Sequence, residues 1–157
     1  MNIFYLDHDP ILAAQYHVDK HVVKMILESA QLLCTAINTA SGSQITPYKT
    51  THINHPSAIW VRQSRANAHW LYQLMTALNN EYVYRFMNQH LAFCKLRAAN
   101  ISQLIDTYLP DAEFTEPPLA MPDEYKSTDA VISYRAYYTL GKAHLHKYTK
   151  RQEPYWL

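Results

Sequence analysis

From Tyr16 to Leu33 the chain reads YHVDKHVVKMILESAQLL. Stepped at about 100° per residue, His17, Lys20, His21, Lys24, Glu28 and Gln31 fall within about a quarter of a helix circumference. Val18, Val22, Val23, Met25, Ile26, Leu27, Ala30, Leu32 and Leu33 fill most of the remainder, so the segment predicts a core helix with one polar seam. Solvated faces usually repeat Glu and Lys. Here histidines, lysines, a glutamate and a glutamine converge, a set able to exchange protons near neutral pH. The plainer reading is a face left in water, with Lys24 and Glu28 an i,i+4 surface pair contributing about 0.2–0.5 kcal/mol. Asp9 and Pro10 read as an N-cap and first-turn proline, and Asp19 could cap a second helix. A break there would take His17 off the seam and leave Lys20, His21, Lys24, Glu28 and Gln31 together.

Only two glycines occur in 157 residues, Gly42 and Gly141, which excludes phosphate-cradling loops built on repeated glycine. With no strong alternating runs, the chain predicts an all-α fold: a compact single-domain helical bundle over residues 1–157. Its 48% hydrophobic content suffices for a full core. A formal charge of +1 excludes a global field drawing the protein onto a phosphate backbone, so any nucleic-acid affinity must be local. Cys34 and Cys94 lie in helical patterns without CxxC spacing and predict buried thiols in a reducing compartment. With no long apolar run and no basic, apolar leader, the expectation is a cytoplasmic protein that neither is secreted nor spans a membrane.

Asn2–Leu6 predicts a short extended segment laid against helices, and Pro10 to about Thr39 a first helical region. Ser41–Asn54 predicts a long loop, of the length at which functional loops become common. His55 and Pro56 open a second helix, or kinked pair, reaching about Phe86, and another segment covers about Gln89–Tyr108. Leu109–Lys126 carries Pro110, Pro117, Pro118 and Pro122 and predicts an irregular wrap. Ser127, Thr128 or Asp129 caps a last helix over about Ala130–Lys147, and Pro154–Leu157 forms an aromatic tail.

His17 and His21, four apart, could share a metal on a continuous helix with His52 or His55 adding a ligand. They lack the accompanying glutamate or Asp cluster, so no metal or cofactor is assigned. Neither cysteine adjoins a glycine-rich elbow. At the chain's end Tyr134, Tyr137, Tyr138, Tyr148, Tyr155 and Trp156 interleave with Arg135, Lys142, Lys147, Lys150 and Arg151, mixing stacking surfaces with phosphate-seeking cations. A core-facing helix with a basic outer face explains the same string. His55, Trp60, Arg62 and Gln63 read either as an N-terminal phosphate site or as cap and core.

In order, the Lys24, Glu28 and Gln31 register, the His55-Pro56 opening of HPSAIWVRQSRANAHWLYQL, the PPLAMP wrap and SYRAYYTLGKAHLHKY resemble the phage pyrimidine-dimer DNA glycosylases of the endonuclease V type and their bacterial relatives. That resemblance covers most of the chain and implies excision of a damaged or modified pyrimidine from DNA. An amine attacks the sugar C1′ to form an imine, a carboxylate assists, and abasic-site strand scission follows; the family's setting is a phage protein in the host cytoplasm. One alignment places His21 at the family's catalytic glutamate, with Lys20 and Lys24 in place of flanking arginines, so Glu28 takes over the carboxylate role. The catalytic expectation is therefore Glu28 with His21 assisting and Lys24 or the Met1 amine as imine former. The substrate-binding expectation is Lys20, His17, Gln31, His55, Trp60, Gln63, Arg62, Tyr137, Tyr138 and Trp156, with DNA as the partner. A non-catalytic nucleotide- or partner-binding module on the same scaffold, and a hydrolase or glycosidase of free nucleotides, are the alternatives.

Overall fold

Pro10 has no backbone N–H to leave unpaired, and the Asp9 carboxylate accepts from the Ile11 N–H at 2.8 Å, so α1 (Pro10–Gln15) begins where the sequence predicts. The computed structural model describes residues 1–157. The expected continuous helix to Thr39 is broken at Tyr16–Val18, and α2 runs Asp19–Ser41. The cause is the fully buried Arg85. Its guanidinium donates to the carbonyls of Gln15 (2.9 Å) and His17 (2.8 Å), as well as to Asp19 Oδ1 (3.1 Å) and Glu81 Oε2 (2.9 Å). Asp19 does not cap α2, because its carboxylate serves Arg85 and accepts from Thr149 N–H (2.9 Å) and Oγ1 (2.6 Å). Gly42 ends α2 in the left-handed conformation, φ 76°.

The second region is a pair, α3 (Pro56–Gln63) and α4 (Arg65–Phe86). Ser64 between them is extended, and its Oγ accepts from Asn67 N–H at 3.0 Å. The third is split into α5 (Leu91–Ala98) and α6 (Ile101–Tyr108) by Asn100, left-handed at φ 51°. The last helix is shorter than expected. α7 (Ala130–Ala136), capped by Asp129, passes into a π-turn over Tyr137–Gly141 and a 3₁₀ turn over Ala143–Leu145. A 3₁₀ turn at Asp123–Tyr125 interrupts the wrap, and no strand forms.

One continuous core of 37 buried residues unites these elements, with α2 packed chiefly on α4 and α3. The Ile3–Leu6 segment is buried within it as an extended strap over α2. Asn38 holds the long loop to α2: its Oδ1 accepts from Ile45 and Thr46 N–H, and its Nδ2 donates to the Tyr48 carbonyl. The wrap is pinned by Trp60 Nε1 to Thr115 O (2.9 Å), by Tyr134 OH to Pro118 O (2.6 Å) and by Asn2 Nδ2 to Ala120 O (2.9 Å). Glu81, sealed in α4, also accepts from Arg151 Nη2 at 2.6 Å and Nε at 3.1 Å, which ties the C-terminal segment to the α1–α2 break. Cys34 is buried, but Cys94 is half-exposed on α5, where Sγ donates to Gln89 Oε1. No helix is long and apolar enough to cross a membrane.

Candidate functional site

The polar seam of α2 divides lengthwise. Lys20, Val23, Lys24 and Leu27 face solvent, whereas His21 and the flank of Glu28 turn under the Met1–Phe4 strap. Solvent therefore covers the edge that carries Val23 and Leu27, which the helical pattern assigns to the core.

Asn2 fixes the strap beside the seam. Its side chain donates to Ala120 O and accepts from Ile3 N–H, while its backbone N–H donates to Glu28 Oε2 at 3.1 Å. On the other oxygen Lys24 Nζ approaches to 3.5 Å. Glu28 is thus held from two sides with its side chain 15% exposed, next to an amine that is 68% exposed. Met1 lies at the same end. Its amine and Glu28 both act on His55, whose imidazole is pushed below its usual value by burial, then by the Met1 amine and His52, with Glu28 opposing. His55 caps α3, Nδ1 accepting from Ser57 N–H at 3.1 Å. Glu28, Lys24, Met1 and His55 therefore share one region of the surface.

His21 is 5% exposed and stacked on Phe4, ring centroids 4.4 Å apart. Its Nδ1 lies 2.7 Å from the hydroxyl of fully buried Tyr138, which also accepts from Val18 N–H at 3.1 Å. Burial, then the charges of His17, Lys142 and Lys24, holds the ring down at about 3. A ring that stays neutral down to that pH is no proton shuttle near neutrality, so the acid–base expectation for His21 fails on desolvation.

His17 precedes α2 and leaves the seam. It is fully buried, Nδ1 donating to Ala13 O at 2.6 Å and Nε2 without a partner, and burial holds it near 4. It cannot touch a substrate in this arrangement. Its ring is 6.5 Å from that of His21, and no group of three or more His, Cys, Asp or Glu side chains is placed to hold a metal ion.

Tyr138 is likewise sealed in the core and offers no stacking face. Tyr137 is half-buried at the rim, 6.3 Å from Phe4 and 5.2 Å from Tyr125, with Lys142 Nζ 5.0 Å above its ring. Gly141 is required there, because a Cβ would stand 2.5 Å from the Tyr137 ring. Trp156 is half-buried under the Arg135 guanidinium, 5.1 Å away, well removed from Glu28 in its contacts. Gln31 is half-buried and Lys20 exposed on α2.

Trp60 is a core residue at 3% exposure, Arg62 Nη1 donates to Ile53 O, and only Gln63 of that group is free in solvent. Trp60 and Gln63 border a cavity of about 520 Å³ with Pro56, Ile59, Thr115, Glu116 and Pro118. None of the surface concavities is lined by Glu28, Lys24, His21 or Met1. The carboxylate–amine pair is an open site. Asn2 and Phe4, which build it, carried no chemical signal in the sequence beyond the apolar character of their segment.

Compared with protein-family models, curated proteins and solved structures, the chain matches none.

Proposed function

We propose that the protein excises a damaged or modified pyrimidine from DNA through an amine nucleophile assisted by Glu28. The observation that carries this reading is the fixed Glu28 carboxylate, held by the Asn2 N–H at 3.1 Å and approached by the Lys24 amine at 3.5 Å, on an open face. An ammonium must lose a proton before it can attack, and Glu28 is the acceptor in position for Lys24. The amine then bonds to C1′ as the glycosidic bond breaks and the base leaves with the electron pair. Ring opening converts the adduct to an imine, the amine's two protons ending on the departing base and on O4′. Having passed that proton on to solvent at the open face, the Glu28 carboxylate stabilises the positive charge developing on the sugar. The Met1 amine, at the same end of the strap, is the second nucleophile candidate. An open setting suits a nucleotide presented on a polymer and extruded from its stack.

The test is borohydride trapping on abasic and modified-pyrimidine DNA, with the adduct mapped by peptide mass spectrometry. An adduct on Lys24 or Met1, with base release reduced about 10²–10⁴-fold in Glu28→Gln, is expected. The amide oxygen introduced by that substitution can still accept the Asn2 N–H, so the fold is retained. The absence of both adduct and base release with the intact protein refutes the proposal. The second reading, a non-catalytic nucleic-acid-binding module, is favoured by the lack of a cavity at Glu28, and it predicts DNA binding unchanged by Glu28→Gln with no turnover.

A further inference from the structure

The hydrogen bonds around His21 determine which nitrogen carries its proton. Tyr138 has one hydroxyl proton and already accepts from Val18 N–H; its remaining neighbour within bonding distance is His21 Nδ1 at 2.7 Å. The phenol stays protonated, since burial pushes it well above its ordinary value. It therefore donates to Nδ1, and the neutral ring carries its proton on Nε2. That N–H has no partner in the protein and is not among the polar atoms sealed from solvent. Phe4, stacked at 4.4 Å, fixes the plane in which it points.

Two lysine charges act on this ring. Lys24 is one turn along α2, and Lys142 is close enough for its charge to act on the ring more strongly than that of Lys24. Lys142 forms no ion pair; its Nζ rests over Tyr137, which adjoins Phe4. Lys24 has Glu28 as its single carboxylate partner, and Lys20 beside it is exposed and unpaired. An uncharged, orientation-locked N–H near the unpaired Lys142 ammonium is a complement to an anionic oxygen.

We propose that His21 Nε2–H and Lys142 form a seat for a backbone phosphate of single-stranded or unstacked DNA, beside the Lys24–Glu28 pair and separate from its chemistry. The inference rests on the proposed action on DNA and deepens it by assigning where the polymer backbone lies. His21 thereby acts in binding as a fixed neutral donor. Tyr138 is a positioning residue that sets its tautomer.

The experiment uses the Glu28→Gln protein, so that binding is read independently of excision. Imidazole nitrogen NMR near neutral pH is expected to show His21 as the Nε2–H tautomer, with that signal shifting on addition of a short oligothymidylate. Lys142→Gln is expected to lower oligothymidylate affinity about five-fold and to flatten the slope of log K against log salt by about 0.7, the value for one single-strand phosphate contact. Thymidine monophosphate, the free-nucleotide arm, is expected to bind at least about tenfold more weakly than the oligomer. An Nδ1–H tautomer, unmoved His21 signals, or an unchanged salt slope in Lys142→Gln overturns the seat. Equal affinity for monomer and oligomer overturns its assignment to a polymer backbone. Absence of base release by the unsubstituted protein, with these binding results intact, faults the excision reading alone.

Discussion

Acidification is expected to destabilise this protein above the range in which carboxylates titrate, because two imidazoles are buried in neutral form. His17 is held near 4 and His21 near 3, against an ordinary 6.5, in both cases chiefly by burial. Protonating His17 in place would leave a new N–H at Nε2 facing a wall with no acceptor. Between those values and 6.5 the unfolded chain binds two protons that the native state refuses, so stability rises with pH and is lost on acidification. Each group contributes ~1.4 kcal/mol per pH unit across its window. From about pH 7 to about pH 5 the loss is about 2 kcal/mol per ring, or about 4 kcal/mol together. That is a large part of a typical domain's total of about 5–15 kcal/mol. Urea unfolding followed by far-ultraviolet circular dichroism, repeated across this interval, measures it. His17→Gln, whose amide can still donate to Ala13 O, is expected to remove about half of the pH slope whatever it does to absolute stability. A stability that is flat from about pH 7 to about pH 5 would refute the buried-neutral assignment.

Other perturbations test the frame that holds the site. Arg85→Met removes the cation shared by Asp19, Glu81 and the carbonyls of Gln15 and His17, and is expected to cost about 3–5 kcal/mol by chemical denaturation. Gly141→Ala drives a Cβ against the Tyr137 ring and is expected to cost about 1–3 kcal/mol while shifting the Tyr137 ring resonances; unshifted resonances would contradict the close approach. Ser64→Ala removes the cap between α3 and α4 and is expected to lower stability by about 1 kcal/mol, read from the same urea midpoints.

Much of the architecture was legible because local chemistry decides it. Asp9 with Pro10, His55 with Pro56, and Asp129 each mark a helix start, and the glycine-poor, helix-patterned chain marks the class. The break at Tyr16–Val18 was legible only as an option. What selects it is Arg85, about seventy residues away, and helical periodicity carries no information at that separation. The same limit applies to the candidate site. Lys24 and Glu28 are one turn apart and visible, whereas the Asn2 N–H that fixes Glu28 arrives across 26 residues. Seen on the helix wheel, His21 and Glu28 belong with the lysines; the strap that covers them belongs to no wheel. Tyr137 and Tyr138 are adjacent in sequence and opposite in fate, rim and core, because successive side chains of a helical turn leave its axis in different directions.

The joint at Arg85 and Glu81 also orders events in time. It draws on residues near 15–19, at 81 and 85, and at 149–151, so its partners emerge from a ribosome at widely separated moments. While the first hundred and more residues are out, Asp19 and Glu81 can meet Arg85, yet Thr149 and Arg151 are still missing and one carboxylate oxygen of each lacks its native donor. The helical body can therefore collapse early, but its central electrostatic joint closes last. The complete joint is a long-range closure that growth from the amino-terminal helices alone cannot supply.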